Sequence, residues 1–153
     1  MSATRLPGCG SAAGWSLAEL LVALTLMAVL ASFALPGLER IAKAWTLWES
    51  AKALESSLMW GRMHSIMANE SVRFDASEQG YGWSDPESGE SYTASLRTFP
   101  HGVRMTSFPS RPLRFHPRGN AAPAGSYAVT DGRGAYRIVV SPGGRIRFQQ
   151  EPP

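Results

Sequence analysis

Arginine residues dominate the charge of the C-terminal part of this chain, whose 153 residues carry a formal net charge of +3. After Leu96 the acidic residues are Asp131 and Glu151, whereas nine residues are arginine. These arginines are Arg97, Arg104, Arg111, Arg114, Arg118, Arg133, Arg137, Arg145 and Arg147. A guanidinium group can donate two parallel hydrogen bonds to a phosphate or a carboxylate. The pattern therefore predicts either an anionic partner or a basic surface that contacts only water.

The spacing near the C-terminus indicates how two of these arginines are presented. Strands are predicted at Tyr136–Val140 and Arg145–Phe148, joined by the loop Pro142-Gly143-Gly144. A loop of three residues pairs Val140 with Ile146, and the apolar residues of both strands then share one face. The hairpin is therefore expected to turn its arginines toward the opposite face.

The candidate ligand-binding residues follow from this register. Arg145 and Arg147 alternate with the apolar positions, and Arg137 belongs to the same face of the preceding strand. We predict that these three arginines form a small cluster that points out of the sheet. Arg133, in the turn before the strand, is a further candidate.

Residue types that support catalysis or metal binding are poorly placed. His64, His101 and His116 lack the spacing of a metal site, and the single cysteine, Cys9, lies near the N-terminus. No glycine-rich phosphate loop follows a predicted strand, and no nucleophile elbow is present. We therefore expect no metal, no cofactor and no enzymatic activity.

One carboxylate interrupts an apolar segment near the N-terminus. The segment Leu17–Leu35 has 19 residues, which is about 28 Å of helix and close to the ~30 Å hydrocarbon core of a bilayer. Glu19 lies near its start, where an ionised side chain is either held at the headgroup level or paired with a positive charge. We predict a membrane helix in which Glu19 either lies at the headgroup level or pairs with a positive charge of another subunit.

The residues around Glu19 resemble the processing signal of prepilins, Gly14-Trp15-Ser16-Leu17-Ala18-Glu19. The resemblance implies that a prepilin peptidase cuts after Gly14 and methylates Trp15. It also implies that Glu19, the fifth residue of the mature chain, pairs with another subunit during assembly. Pro36 stands where pilin helices commonly carry a proline, and it is expected to kink or break the helix. The alternative is an unprocessed signal anchor.

The remaining sequence predicts an α+β fold. Residues 1–14 would be the leader, 15–37 the transmembrane half of a long helix, 38–69 its amphipathic half, and 70–153 a β-rich part with a small, mainly antiparallel sheet. The predicted strands are Val72–Phe74, Tyr81–Trp83, Tyr92–Leu96, Leu113–Phe115, Ser126–Thr130, Tyr136–Val140 and Arg145–Phe148. The proline-containing stretch 99–112 is expected to run over the surface without a strand.

The C-terminal half resembles the GspH/FimT branch of the pilin superfamily. Phe115-x-x-x-Gly119 precedes the hairpin that ends in Gly144-Arg145-Ile146-Arg147, as in that family. The resemblance implies a minor pseudopilin or pilin in the inner membrane, with its C-terminal domain on the periplasmic side and other pilin subunits as partners. Its role would be protein secretion.

An alternative role is DNA uptake, because some family members bind DNA through the Gly-Arg-x-Arg element. The same arginines can equally form a solvated face. These two functions stay open on the sequence alone.

Overall fold

The computed structural model describes residues 16–92 and 97–151, with the backbone alone at residues 34–36, 39 and 40. Its contacts divide the chain into two units, Met1–Arg40 and Ile41–Pro153. The described elements are α1 (Leu17–Ala68), β1 (Val72–Ser77), β2 (Gly80–Ser84), β3 (Arg97–Thr98), β4 (Arg104–Ser107), β5 (Leu113–Phe115), β6 (Ala121–Ala122), β7 (Gly125–Thr130), β8 (Ala135–Val140) and β9 (Ile146–Glu151).

Ser16 caps the N-terminus of helix α1. The hydroxyl of Ser16 accepts a hydrogen bond from the backbone N–H of Glu19 (3.2 Å), which satisfies one of the donors left open at a helix start. Glu19 lies in the first turn, where its charge interacts favourably with the helix dipole. The helix continues through Pro36 without interruption, so of the two expectations the break is wrong, and the kink stays a prediction. One missing donor does not end a helix that good helix formers extend on both sides.

In the part of α1 that belongs to the first unit, apolar side chains are widely exposed. Among them, Leu17 and Phe33 are each 78% exposed. Within the residues that the structure describes, no helix is both long and apolar enough to count as a membrane span.

The second unit has its core between α1 and two sheets. Leu47, Ala51, Leu54 and Leu58 form one buried stripe of the helix, as their spacing predicts. A second set of apolar residues follows on the helix: Met59, Met63, Ile66 and Met67. These residues are exposed, because the buried face of the helix continues through smaller residues. These smaller residues are Gly61 and Ser65, which let other parts of the domain approach the helix closely.

The first sheet has five strands in the order β3-β2-β1-β5-β6. β1 pairs antiparallel with β2 and with β5, and Phe74 is opposite both Trp83 and Leu113. All three side chains are buried. Trp83 contacts the helix, since its indole N–H donates to the hydroxyl of Ser57 (2.8 Å). A Cβ at Gly61 would lie 2.0 Å from the Trp83 ring, so the helix needs glycine there.

The second sheet has four strands in the order β4-β7-β8-β9, which leaves β9 at one edge. The predicted hairpin register is confirmed: Val140 pairs with Ile146 and Ile138 with Phe148. Strand β4 corrects the expectation that stretch 99–112 contains no strand. Its Met105 is buried among the core residues, where it contributes apolar area that a surface loop would leave in water.

Two other predicted details differ. Strand β6 was not predicted, because a pair of alanines carries little strand signal. The predicted strand Tyr92–Leu96 cannot be compared in full, since residues 93–96 lie outside the described residues. Tyr92 itself stands in a bend, and β3 begins at Arg97.

Candidate functional site

Two loops that are distant in sequence meet at two glycines. Gly144 lies in the β8–β9 loop with a positive φ of 72°, and Gly119 lies in the loop after β5 with a φ of 78°. A Cβ at Gly144 would lie 1.9 Å from the carbonyl oxygen of Gly119. The backbone N–H of Ala121 also donates to the carbonyl of Pro142 (2.9 Å). The glycines of both sequence motifs therefore serve to bring the loops into direct contact.

Two side chains of helix α1 form hydrogen bonds with the loop after β5. The Nε of Arg62 donates to the carbonyl of Gly119 (3.2 Å). The hydroxyl of buried Ser65 reaches the carbonyls of Arg62 (2.8 Å) and His116 (3.3 Å). These contacts fix the loop after β5, and through it the loop that carries Gly144, relative to the helix.

The β8–β9 loop presents the first of the predicted arginines. The backbone N–H of Ser141 donates to the carbonyl of Arg145 (2.9 Å), and the Arg145 N–H donates to the hydroxyl of Ser141 (3.1 Å). This closes the three-residue loop that the sequence predicts. Arg145 and Arg147 are both exposed, and neither has an ion-pair partner among the residues that the structure describes.

The outer face of the second sheet carries further arginines. Arg147 is opposite Val139, which places it on the same face as Arg137. Arg137, however, forms an ion pair with Glu151, so its charge is largely compensated. We call Arg145, Arg147 and Arg137, together with Arg104 described next, the arginine face.

Arg104 was not among the predicted site residues, and the structure adds it. Arg104 pairs with Thr130, which in turn pairs with Ala135, and Ala135 pairs with Glu151. Its side chain therefore lies on the outer face of the second sheet. The only sequence signal was its position in an arginine-rich segment, because strand β4 was not predicted.

Arg133, in contrast, does not join the other candidates. It lies in the β7–β8 turn, at the opposite end of β8 from Arg145. The six residues of β8 span about 20 Å at ~3.3 Å per residue. Arg133 therefore lies apart from Arg145, and its role as a candidate DNA-binding residue stays a prediction.

A different arginine lies at the loop junction. Arg118 directly precedes Gly119 and is exposed, with His116, Pro117 and Asn120 around a shallow depression. Its position next to a motif glycine is the sequence signal that could have identified it. The junction thus presents cations from both loops, Arg118 and Arg145, on one rigid support.

Comparison with known proteins agrees with these features. The family model described as "Type II transport protein GspH" matches residues 50–144, which include the second half of the helix and most of the β-rich part. The chain belongs to the GspH family. No curated protein matches its sequence significantly.

Solved structures with the same fold are minor pilins and pseudopilins. The minor pseudopilin EpsH of the Vibrio cholerae type 2 secretion system is 12% identical, with a TM-score of 0.56, over 68% of this chain and 96% of EpsH. The type IV minor pilin FimU of Pseudomonas aeruginosa is 18% identical, with a TM-score of 0.59, over 73% of this chain and 92% of FimU. The predicted α+β, pilin-like fold is confirmed. As a GspH-family protein, the chain is a minor pseudopilin- or pilin-type subunit of a pilus-like assembly.

The predicted residues at the N-terminus of this GspH-family chain are only partly described. Gly14 and Trp15 lie outside the described residues. Glu19 is exposed at the start of α1, and the backbone of Pro36 is helical. Their roles in processing and assembly remain predictions.

His64 and His116 of this GspH-family chain have different contacts, and His101 is exposed. His64 stacks on Trp60 with ring centroids 4.9 Å apart and meets Tyr92 edge-on at 5.2 Å. The Nδ1 of His116 lies 3.5 Å from the hydroxyl of Ser71. Within the residues that the structure describes, no group of three or more metal-ligating side chains comes together.

Proposed function

We propose that the chain is a minor pseudopilin that acts in protein secretion. A prepilin peptidase would cut between Gly14 and Trp15, and residues 15–37 would then hold the protein in the inner membrane. The C-terminal domain would face the periplasm. The observation that carries this proposal is the row of exposed apolar side chains on α1, from Leu17 to Phe33, joined to a GspH-family domain. Exposed apolar area of this extent needs a lipid or protein environment.

Processing can be tested by mass spectrometry of the protein produced with a prepilin peptidase. The wild type should lose its first 14 residues and gain one methyl group on Trp15. Gly14→Leu should stay at full length, because a bulky side chain blocks the cleavage position. Gly10→Leu is the matched control in the same leader and should be processed normally. A Gly14→Leu protein that still begins at Trp15 would refute the prepilin assignment, and an uncut wild type would support an unprocessed membrane anchor.

Assembly would depend on Glu19. A carboxylate in an apolar environment is stabilised by a positive group, and the new α-amino group of a neighbouring subunit is a suitable one. Glu19→Gln should therefore be processed and inserted normally, yet be missing from sheared fibre fractions. Recovery of this variant in fibres at the wild-type level would show that the interaction of its carboxylate with the helix dipole, and not intersubunit pairing, explains the residue.

A second function, DNA binding during uptake, is supported by one specific observation. Arg145 and Arg147 are exposed and have no ion-pair partner among the described residues, whereas Arg137 is paired with Glu151. Contacts with phosphates would make binding independent of sequence and strongly dependent on salt. Arg118 would extend the contact from the neighbouring loop.

The test is fluorescence anisotropy of a DNA duplex with the full chain in detergent, at several salt concentrations. Loss of two phosphate contacts should reduce the slope of log K against log salt by about 1.8. We expect this reduction in slope for the double variant that combines Arg145→Ala with Arg147→Ala. The control combines Arg97→Ala with Arg114→Ala, which removes the same charge from exposed positions on the other sheet. Equal losses in both double variants, or no binding by the wild type at low salt, would contradict a DNA-binding role.

A further inference from the structure

A second basic site lies at the end of β8 opposite the Gly119–Gly144 junction. Lys43, Thr46, His101, Gly102, Val103, Asp131 and Arg133 surround a cleft of 290 Å³. We propose that this cleft binds the phosphodiester group of an anionic membrane lipid. The proposal goes beyond DNA binding by the arginine face, and it rests on the proposed membrane anchor.

One wall of the cleft is the tight turn between β7 and β8. The Oδ1 of Asp131 accepts hydrogen bonds from the backbone N–H groups of Arg133 (2.9 Å) and Gly134 (3.0 Å). Gly134 lies against the helix, since a Cβ there would be 3.7 Å from the Cδ2 of Leu47. Lys43 is one helical turn before Leu47, on the same side of α1. This packing brings the Lys43 and Arg133 side chains to the same cleft.

The opposite wall is the turn between β3 and β4. Val103 is buried, and its backbone N–H donates to the carbonyl of Pro100 (3.1 Å). His101 is exposed beside it and adds a ring nitrogen to the rim of the cleft. Both walls are therefore held by backbone hydrogen bonds, while the groups that can donate to a ligand are side chains.

The charges around the cleft fit an anion with a single negative charge. Lys43 and Arg133 are positive, and neither forms an ion pair with any side chain that the structure describes. Asp131 contributes one negative charge, since two backbone N–H groups stabilise its ionised form. Lys43, Arg133 and Asp131 together leave one positive charge, which a phosphodiester balances and a phosphate dianion would exceed.

The position of Lys43 in the chain favours a lipid as the source of the phosphodiester. Lys43 follows residue 37, the end of the proposed membrane half, by six residues, which is about 9 Å of helix. The headgroup layer on each side of a bilayer is about 5–8 Å thick. Long basic side chains close to a membrane helix readily reach such headgroups.

The sequence offers a clean probe, because Lys43 and Lys52 are its only two lysines. Lys52 pairs with Glu55 at 2.7 Å and serves as the internal reference. The full chain is placed in phosphatidylcholine nanodiscs with or without phosphatidylglycerol and treated with an acylating reagent. Mass spectrometry then gives the labelling rate of Lys43 relative to Lys52. Phosphatidylglycerol should slow Lys43 about tenfold, as expected for one charge-assisted hydrogen bond.

Two variants separate the cleft from a general surface effect. Arg133→Gln should abolish most of the protection of Lys43, because it removes the second cation of the cleft. Arg114→Gln removes the same charge from an exposed position on the first sheet and should leave the protection unchanged. Equal protection in wild type and Arg133→Gln would overturn the proposal, as would equal Lys43 rates with and without phosphatidylglycerol.

Further experiments ask whether the phosphate group comes from a source other than a lipid. Protection in phosphatidylcholine discs by glycerol phosphate, or by a DNA duplex at the same concentration, would replace the lipid with that ligand and overturn the proposal. If the chain does not insert into nanodiscs, the proposal that residues 15–37 anchor it in the membrane is wrong. The cleft is then tested in detergent micelles with and without phosphatidylglycerol, so that the two failures are distinguishable.

Discussion

Replacement of Gly144 by alanine should be among the most damaging single changes outside the buried core. The residue has a φ of 72°, and a left-handed backbone costs an alanine about 1–2 kcal/mol. The new Cβ would lie 1.9 Å from the carbonyl oxygen of Gly119, so the two loops must separate. Separation loses the hydrogen bond from Ala121 to Pro142, about 1 kcal/mol, and the local rearrangement adds about 1–3 kcal/mol.

These contributions predict a loss of about 3–6 kcal/mol in the free energy of unfolding. The measurement is urea unfolding of the full chain in detergent, followed by tryptophan fluorescence. Two other glycines provide matched controls. Gly132 has a φ of 86° and no atom near its Cβ position, so Gly132→Ala should lose only about 1–2 kcal/mol. Gly143 has neither feature, and its alanine variant should stay within about 0.5 kcal/mol of wild type.

The ranking of the three variants is the decisive result. If Gly144→Ala were no worse than Gly132→Ala, the contact with Gly119 would contribute nothing and the glycine would be required for its φ alone. If all three variants matched wild type, the inferred junction between the loops would be wrong.

Three further predictions concern the core and one turn. Gly61→Ala should lose about 1–3 kcal/mol in urea unfolding, because its Cβ would meet the buried Trp83 ring at 2.0 Å; wild-type stability would show that the helix and sheet can separate without cost. Leu54→Ala should lose about 2–5 kcal/mol in the same assay, since Leu54 is fully buried, and a smaller loss would mean that the cavity collapses. Partial burial opposes ionisation of Asp131, but hydrogen bonds from the backbone of Arg133 and its neighbour outweigh this effect and lower the pKa below 3.8. The ionised carboxylate therefore stabilises the fold near neutral pH, and this stabilisation is lost as the pH falls below about 4 through the folded pKa. The free energy of unfolding of Asp131→Asn should then decline less in acid than that of the wild type. An unchanged pH profile of this free energy would contradict the prediction.

Short-range patterns predicted much of the fold. The alternation from Tyr136 to Val140, followed by a three-residue loop, was enough to give the hairpin register, because a one-residue slip would turn apolar side chains to water. The buried stripe of the helix beginning at Leu47 followed from its spacing in the same way.

Features that depend on distant contacts were not predictable. The burial of Gly61 and Ser65 reflects what packs against them, namely Trp83 and the loop at His116, and small residues carry no apolar signal of their own. Arg104 was missed because strand β4 is short and lies between prolines.

The arginine candidates illustrate the same limit. Arg133 and Arg145 were both candidate DNA-binding residues, but strand β8 lies between them and places them at opposite ends of the sheet. Conversely, Gly119 and Gly144 are 25 residues apart in sequence and in direct contact in space. Spacing along one strand indicates a shared face, whereas contact between loops depends on the packing of the whole domain.

The position of β9 at the edge of its sheet has a consequence for the behaviour of the protein in solution. An edge strand presents unpaired backbone N–H and C=O groups that can pair with another copy of the same strand. Arg147 projects beside that edge, and Arg145 lies in the loop that precedes it, so two copies of β9 aligned in parallel and in register would bring like charges together. These arginines therefore oppose parallel self-association along β9, whatever ligand they bind. Their replacement by neutral residues would remove a barrier to aggregation along β9.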